Sequence, residues 1–146
     1  MDLKDTILIH GNINVIWDNL NDAETLKHCI PGCSELNGSP KEGFSATVTQ
    51  KVGPVKATFK GNAFISDVVE NHSYTIKGEG KGGAAGFAKG EAKVILAQIA
   101  NDTELTYEVQ AKVGGKLAQL GGRLINGFAK NMAKKFFENF KSKIET

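Results

Sequence analysis

The sequence predicts an α+β protein in which a curved antiparallel sheet wraps around a long C-terminal helix. Apolar residues recur at steps of three and four through the last third of the chain, which is the period of an α-helix. Before it, four segments alternate apolar and polar residues with a period of two, as half-buried strands do. With 146 residues, the chain has room for one domain with a substantial core, and we expect residues 1–146 to form it.

The chain begins with a predicted strand followed by two short helices. The strand is Thr6–Ile9, and Asn12 is a favourable N-cap for a helix from Ile13 to Leu20. A second helical turn starts after Asn21-Asp22. It ends at Pro31-Gly32, because this dipeptide interrupts regular structure.

The middle of the chain predicts a meander of roughly six antiparallel strands. The alternating segments are Phe44–Val52, Val55–Ile65, Gly86–Leu96 and Leu105–Val113, and a further strand lies around Ser73–Lys77. Gly53-Pro54 and Asn101-Asp102 supply turns between them. Gly78–Gly86 holds five glycines in nine residues, which predicts a flexible connection or a distorted edge.

The last third predicts one continuous amphipathic helix from Lys116 to Ile144. Gly114-Gly115 marks its start, no proline interrupts it, and Lys141 and Lys143 suit the negative end of the helix dipole. Such a helix is about 45 Å long, too long to be enclosed in a small domain. Its apolar arc must therefore lie against the sheet. The arc consists of Leu117, Leu120, Leu124, Ile125, Phe128, Ala129, Met132, Ala133, Phe136, Phe137 and Phe140.

Composition indicates a cytoplasmic globular protein. No run approaches the roughly 20 apolar residues of a membrane span, and the N-terminus lacks the pattern of a secretory signal. The net charge of +2 divides into +6 from residue 112 onward and −4 before it. A solvated helix face is the simpler interpretation; attraction to anionic lipid or an acidic partner is the alternative. No nucleic-acid reader motif accompanies the lysines, so we expect no nucleic-acid partner.

The sequence contains no convincing catalytic or metal-binding motif. Cys29 and Cys33 flank a turn beside His28, and without a second Cys/His cluster they predict reduced thiols rather than a metal site or a disulfide. The glycines of Gly78–Gly83 lack the following Lys-Ser/Thr of a phosphate loop. We therefore predict neither catalytic residues nor a metal centre.

The inward face of the predicted sheet is unusually poor in bulky side chains. Its small residues are Ala57, Gly61, Ala63, Gly86, Ala88, Gly90, Ala92 and Ala111. Protein interiors are close-packed, so the space left by these residues is filled either by large helix side chains or by an apolar ligand. The second interpretation predicts a ligand cavity, with a lining formed by Val48, Gln50, Ala57, Phe59, Gly61, Ala88, Gly90, Tyr107, Val109, Leu120, Leu124 and Phe128.

Several sequence features, taken together, resemble those of the G subunit family of carbon monoxide dehydrogenase, which belongs to the START-like helix-grip superfamily (SRPBCC). They are Trp17 and Leu20, Ile30-Pro31-Gly32-Cys33, Val52-Gly53-Pro54-Val55 leading into Phe59-Lys60-Gly61, and Gly115-Lys116-Leu117-Ala118-Gln119-Leu120-Gly121 with Arg123-Leu124-Ile125. The similarity extends over nearly the whole chain.

The resemblance implies a non-enzymatic accessory protein that recruits a molybdenum carbon monoxide dehydrogenase to the cytoplasmic membrane. It also implies a lipophilic ligand, quinone- or lipid-like, in place of a resident cofactor. Members of the family can continue into an extension linked with membrane attachment, whereas this sequence ends at Thr146. We therefore expect the basic helix to provide only weak, peripheral contact with the membrane surface.

Two alternatives remain open from the sequence. The first is an enzyme of the polyketide cyclase or hydrolase kind, which needs polar groups within hydrogen-bonding range inside the cavity. The candidates for these groups are Gln50, Tyr74, Tyr107 and His72. The second is a protein-interaction module with a filled core. The volume between sheet and helix distinguishes this module from a ligand carrier.

Overall fold

A computed structural model describes residues 1–145 of the chain. The strands are β1 (Asp2–Ile9), β2 (Cys33–Ser39), β3 (Gly43–Val52), β4 (Val55–Val69), β5 (Ser73–Lys81), β6 (Phe87–Ile99) and β7 (Asp102–Gly114). The α-helices are α1 (Ile13–Leu20), α2 (Ala23–Cys29), α3 (Lys116–Gln119) and α4 (Gly122–Ile144), and a 3₁₀ turn covers Gly83–Ala85.

The strands form one open antiparallel sheet in the order β1-β7-β6-β5-β4-β3-β2. Strands β2 to β7 follow one another as a meander, and β1 pairs with β7 at the far edge. Helices α1 and α2 carry the chain from one edge of the sheet to the other. The long helix α4 makes its main contacts with α2, β1 and β3. The predicted fold class, a curved antiparallel sheet around a C-terminal helix, is confirmed.

Local sequence signals fix the two short helices. The Asn12 side chain accepts a hydrogen bond from the Asn14 amide at 2.9 Å, and the Asp22 side chain accepts one from the Thr25 amide at 3.0 Å. Both contacts satisfy backbone donors that a helix start leaves unpaired. The turn after α2 is bound to β3, because the Thr49 amide donates to the Gly32 carbonyl at 3.0 Å.

Two strand predictions need correction. The segment Cys33–Ser39 was not predicted, yet it forms β2 at the sheet edge with only Leu36 buried and an irregular register between Cys33 and Glu35. An edge strand with one polar side has little need of an alternating pattern. The predicted flexible connection at Gly78–Gly86 is also wrong in its first part, because Gly78 and Gly80 lie within β5.

The prediction of one continuous C-terminal helix is wrong at Leu120–Gly121. The short α3 ends there and α4 begins at Gly122, which leaves a helix of about 35 Å instead of about 45 Å. Gly121 has φ +88° and ψ 153°, a conformation that side chains with a Cβ rarely adopt. The apolar periodicity continues across this break, so the helical pattern alone did not reveal it.

Two separate apolar clusters hold the sheet and helices together. The larger cluster lies between α1, α2, the C-terminal half of α4 and the adjoining strand ends: Ile9, Ile16, Trp17, Leu20, Cys29, Tyr74, Leu96, Leu105, Tyr107 and Phe140. The smaller one joins the end of β3, α3 and the start of α4 through Val52, Leu117 and Ile125. The space between these clusters contains the candidate site.

Candidate functional site: an internal apolar cavity

Two adjacent rows, composed of Gly and Ala except for Val113 and Phe44 at their ends, cross the five central strands of the sheet. In register, one row consists of Ala46, Gly61, Gly80, Ala88 and Val113, and the next of Phe44, Ala63, Gly78, Gly90 and Ala111. A Cβ built on Gly61 would lie 2.7 Å from the Glu79 carbonyl oxygen, and one on Gly90 would lie 2.6 Å from that of Gln110. These glycines therefore allow neighbouring backbones to approach closely, as well as leaving the inner face bare.

A main cavity of about 510 Å³ lies between the sheet and helices α3 and α4. Its sheet wall includes Val48, Val52, Phe59, Gly80, Ala88, Ala92, Val94, Val109, Ala111 and Val113. Its helix wall includes Leu117, Ile125, Phe128, Ala129, Met132, Ala133, Phe136 and Phe137. The volume is in the range of small-molecule pockets, and the lining is almost wholly apolar.

A second cavity, the inner lobe, of about 390 Å³ adjoins the first toward α1 and α2. Val94, Phe136 and Phe137 line both spaces and form the partition between them. The rings of Phe136 and Phe137 meet edge to face with centroids 5.0 Å apart, and Phe137 stacks on Tyr107 at 5.2 Å. Aromatic packing therefore fixes the partition and leaves open space on both sides of it.

Few polar residues border these spaces: Gln50 and Tyr107 at the main cavity, and Tyr74, Asn62 and Glu79 at the inner lobe. The side-chain amide of Gln50 lines the main cavity but donates to the Pro31 carbonyl, which holds the turn after α2. Tyr107 borders the main cavity and Tyr74 the inner lobe. Both tyrosines pair with Val94 from opposite sides, so their strands are roughly 10 Å apart. His72 lies in the turn between β4 and β5, outside both linings.

Burial raises the pKa of both phenols. Tyr74 is 6% exposed, and desolvation in the main core raises its pKa well above the ordinary value for tyrosine. The pKa of Tyr107 is raised by burial and by the negative charge of Asp5, its register partner on β1. Both side chains therefore remain neutral hydrogen-bond donors at neutral pH, and neither phenol is activated as a base.

The structure brings together most of the predicted lining. Val48, Gln50, Phe59, Ala88, Tyr107, Val109 and Phe128 line the main cavity, and Gly61 lines the inner lobe. The remaining predictions, Ala57, Gly90, Leu120 and Leu124, lie outside both linings. Gly90 borders a groove on the outer face of the sheet, and Leu124 is 39% exposed and packs over Gly53.

The break at Gly121 explains the position of Leu120, which lies before it, but not that of Leu124, which belongs to the first turn of α4. The apolar face of α4 that borders the cavity is Ile125, Phe128, Ala129, Met132, Ala133, Phe136 and Phe137. Leu120 ends α3 before the chain changes direction, whereas Leu124 lies in the first turn of α4 and packs over Gly53. The spacing from Ile125 to Phe137 was present in the sequence and was sufficient to find the missed residues Met132, Phe136 and Phe137.

The cysteines stand apart from the cavity lining. Cys29 is buried at the end of α2, and the Sγ of Cys33 is 3.2 Å from the Glu35 carbonyl oxygen. Burial raises the pKa of both thiols, so neither is a preformed thiolate. Among residues 1–145, no group of three or more His, Cys, Asp and Glu side chains is placed to hold a metal ion.

The sheet, the gripping helix and the hollow between them define a START-like helix-grip protein. The family model described as the G subunit of carbon monoxide dehydrogenase (CoxG) matches residues 6–145. The chain belongs to this family, as its sequence features indicated.

Solved structures support the same fold. A conserved protein from Geobacillus kaustophilus is 29% identical, with a TM-score of 0.92 over 99% of this chain and 95% of that one. A protein from Chromobacterium violaceum is 6% identical, with a TM-score of 0.77 over 100% of this chain and 99% of that one. A protein from Rhizobium leguminosarum is 15% identical, with a TM-score of 0.72 over 99% of this chain and 97% of that one. At these identities the similarity shows the fold alone. No curated protein matches the chain significantly. Within residues 1–145, no helix combines the length and apolar character needed to cross a membrane.

Proposed function

We propose that this protein binds a lipophilic, quinone- or lipid-like molecule in its main cavity and serves as an accessory subunit of a molybdenum carbon monoxide dehydrogenase-type redox enzyme. In this role it would deliver or receive the lipophilic molecule for the partner enzyme. The partner, the cytoplasmic location and weak contact with the membrane surface are all part of the proposal.

The observation that carries the proposal is the apolar main cavity of about 510 Å³ between the sheet and α4. A side-chain-filled interior would reach crystal-like packing density, and a void of this size forgoes the dispersion contacts that its lining could make. An apolar guest restores those contacts and removes its own apolar surface from water. The CoxG family match supports the choice of partner.

The arrangement of the polar groups favours a carrier over a catalyst. General acid–base chemistry requires two groups within hydrogen-bond reach of one reacting atom. Gln50 is already bonded to a backbone carbonyl, while Tyr107 and Tyr74 serve different spaces. Either phenol can instead donate one hydrogen bond to a carbonyl oxygen, the kind of acceptor that a quinone carries.

Ligand binding is tested by titrating the purified protein with decylubiquinone. Calorimetry measures the binding, and we expect a saturable signal. Trp17, the sole tryptophan, packs edge to face against Tyr74 with ring centroids 5.4 Å apart, so quenching of its fluorescence reports ligand that extends into the adjoining inner lobe. Ala92→Phe, which places a phenyl ring in the main cavity, should weaken binding at least tenfold, while Ala97→Phe on the exposed part of β6 should not. Absence of uptake of decylubiquinone and of simple lipids would overturn the proposal.

The accessory role is tested separately. The protein, bearing an affinity tag, is mixed with a purified molybdenum carbon monoxide dehydrogenase, and complex formation is measured by light scattering coupled to gel filtration. A defined complex supports the role. Ligand binding without any complex would leave a carrier and remove the accessory assignment.

A further inference from the structure

A further space, which we call the side cleft, lies between edge strand β1 and helix α4. It has a volume of about 540 Å³ and shares Leu3, Tyr107, Ala133 and Phe137 with the main cavity. The two spaces therefore meet along a common wall, with the apolar interior on one side and the cleft on the other. The remaining residues of the cleft are mostly charged: Lys4, Asp5, Lys130, Lys134, Glu138 and Lys141, together with Ile7.

The charges of the side cleft are unbalanced toward the positive. Its four lysines outnumber its two carboxylates: Glu138 faces Lys134 at 4.0 Å, while Asp5 accepts a hydrogen bond from the Thr6 amide at 2.8 Å and keeps its negative charge near Tyr107. Lys4 pairs with Glu108 at 3.0 Å. Over the described part of the chain, Lys130 and Lys141 have no carboxylate within ion-pair distance. Two ammonium groups are thus available at the boundary of an apolar cavity.

Tyr107 provides an independent observation at the same boundary. Only 7% of the residue is exposed, yet its hydroxyl makes no hydrogen bond within residues 1–145. No fully enclosed side-chain oxygen in that range lacks a partner. The hydroxyl oxygen must therefore face open space, and Tyr107 lines both the main cavity and the side cleft. A ligand oxygen placed at this boundary can therefore accept a hydrogen bond from the Tyr107 hydroxyl.

We infer that the side cleft binds the anionic head of an amphiphile whose hydrocarbon part lies in the main cavity. This inference rests on the proposed function and concerns the lipid-like ligands within it, to which it adds a preference for those that bear a carboxylate. Tyr107 donates a hydrogen bond to a head-group oxygen. Lys130, which lies one helical turn before Ala133 on α4, provides the positive charge that attracts the carboxylate. The partly solvated cleft reduces the cost of holding the charged head, whereas the apolar cavity alone would not tolerate it.

The test compares two probes with the same chain, laurate and dodecan-1-ol, by displacement of the neutral dye 1-aminoanthracene. We expect laurate to bind about fivefold more tightly than dodecan-1-ol, and this preference to shrink as salt rises. Lys130→Gln should remove most of the preference by weakening laurate alone. The matched control is Lys135→Gln, which neutralises an exposed lysine of α4 outside the cleft.

A second variant tests the phenol. Tyr107→Phe keeps the ring stacked on Phe137 and removes only the hydroxyl. It should weaken both probes about threefold to tenfold, as expected for the loss of one hydrogen bond. Circular dichroism and thermal melts verify that each variant is folded.

The outcomes separate this inference from the proposed function. Equal affinity for laurate and dodecan-1-ol, or no effect of Lys130→Gln, would refute the anionic head site while leaving the cavity as a carrier of neutral lipophiles. Failure of laurate, dodecan-1-ol and decylubiquinone alike to displace the dye would refute both.

Discussion

Enlarging a side chain inside the main cavity tests directly whether that space is vacant. Ala92 lies on β6 between Ile76 and Val109 in the register of the sheet, and it lines the main cavity. We predict that Ala92→Leu stabilises the ligand-free protein. In a close-packed core the same change would force neighbouring side chains out of their preferred rotamers.

The magnitude follows from the carbon atoms added. Leucine extends alanine by three carbons, and burial contributes about 0.8 kcal/mol for each, or roughly 2 kcal/mol in total. Loss of leucine rotamer freedom offsets about 0.5–1 kcal/mol of this. We therefore expect a net gain of about 1–1.5 kcal/mol, which for a chain of this size raises Tm by about 3–5 °C.

The assay is thermal and urea unfolding of the wild type, Ala92→Leu and the control Ala97→Leu. The control adds the same carbons at an exposed position of the same strand, and its effect should stay within about 0.5 kcal/mol. The Ala92→Leu variant should also bind decylubiquinone more weakly. A loss of about 1–3 kcal/mol in the Ala92 variant would instead mean that the protein's own side chains already fill the space.

Three further predictions concern the helix break, the core and the buried phenol. Gly121→Ala should destabilise the protein by about 1–3 kcal/mol, because Gly121 has a positive φ. Gly127→Ala, at an exposed position inside α4, should stabilise the protein by about 0.5–1 kcal/mol. Urea unfolding measures both changes and distinguishes their signs. Phe140→Ala should cost about 3–5 kcal/mol in the same assay because the ring is fully buried, and a cost below about 1 kcal/mol would contradict the core described here. Because burial raises the pKa of Tyr74, its phenol loses the proton at a lower pH in the unfolded chain than in the folded protein. The contribution of the neutral phenol to the free energy of unfolding is therefore complete below pH about 10 and declines above it. Unfolding at pH 8 and pH 11 should show a smaller decline for Tyr74→Phe, and identical declines would refute this assignment.

Much of the fold was predictable because its signals are local. Asn12 caps α1, Pro31-Gly32 ends the second helical segment, and the period-two segments became β3, β4, β6 and β7. Each of these signals depends on backbone geometry or on residues a few positions apart. The edge strand β2 escaped prediction because an edge strand with one buried side chain has no distinctive pattern.

The cavity was only partly predictable. The inward small residues suggested a hollow, but close approach of neighbouring strands, as at Gly61 and Gly90, is also a reason for glycine. One-dimensional periodicity does not distinguish these two causes. The position of Leu120 outside the lining has a similar origin, because a change of chain direction at one glycine leaves the apolar spacing intact.

The sequence by itself determined the fold class, the strand and helix periods, and membership of the CoxG family. Only the tertiary structure decided that the space between sheet and helix is divided at Phe136 and Phe137, and that a basic cleft meets it at Tyr107. The physical reason is that periodicity specifies which face of an element is apolar. The volume enclosed between two such faces depends instead on sheet curvature and helix placement, which arise from contacts between residues distant in sequence.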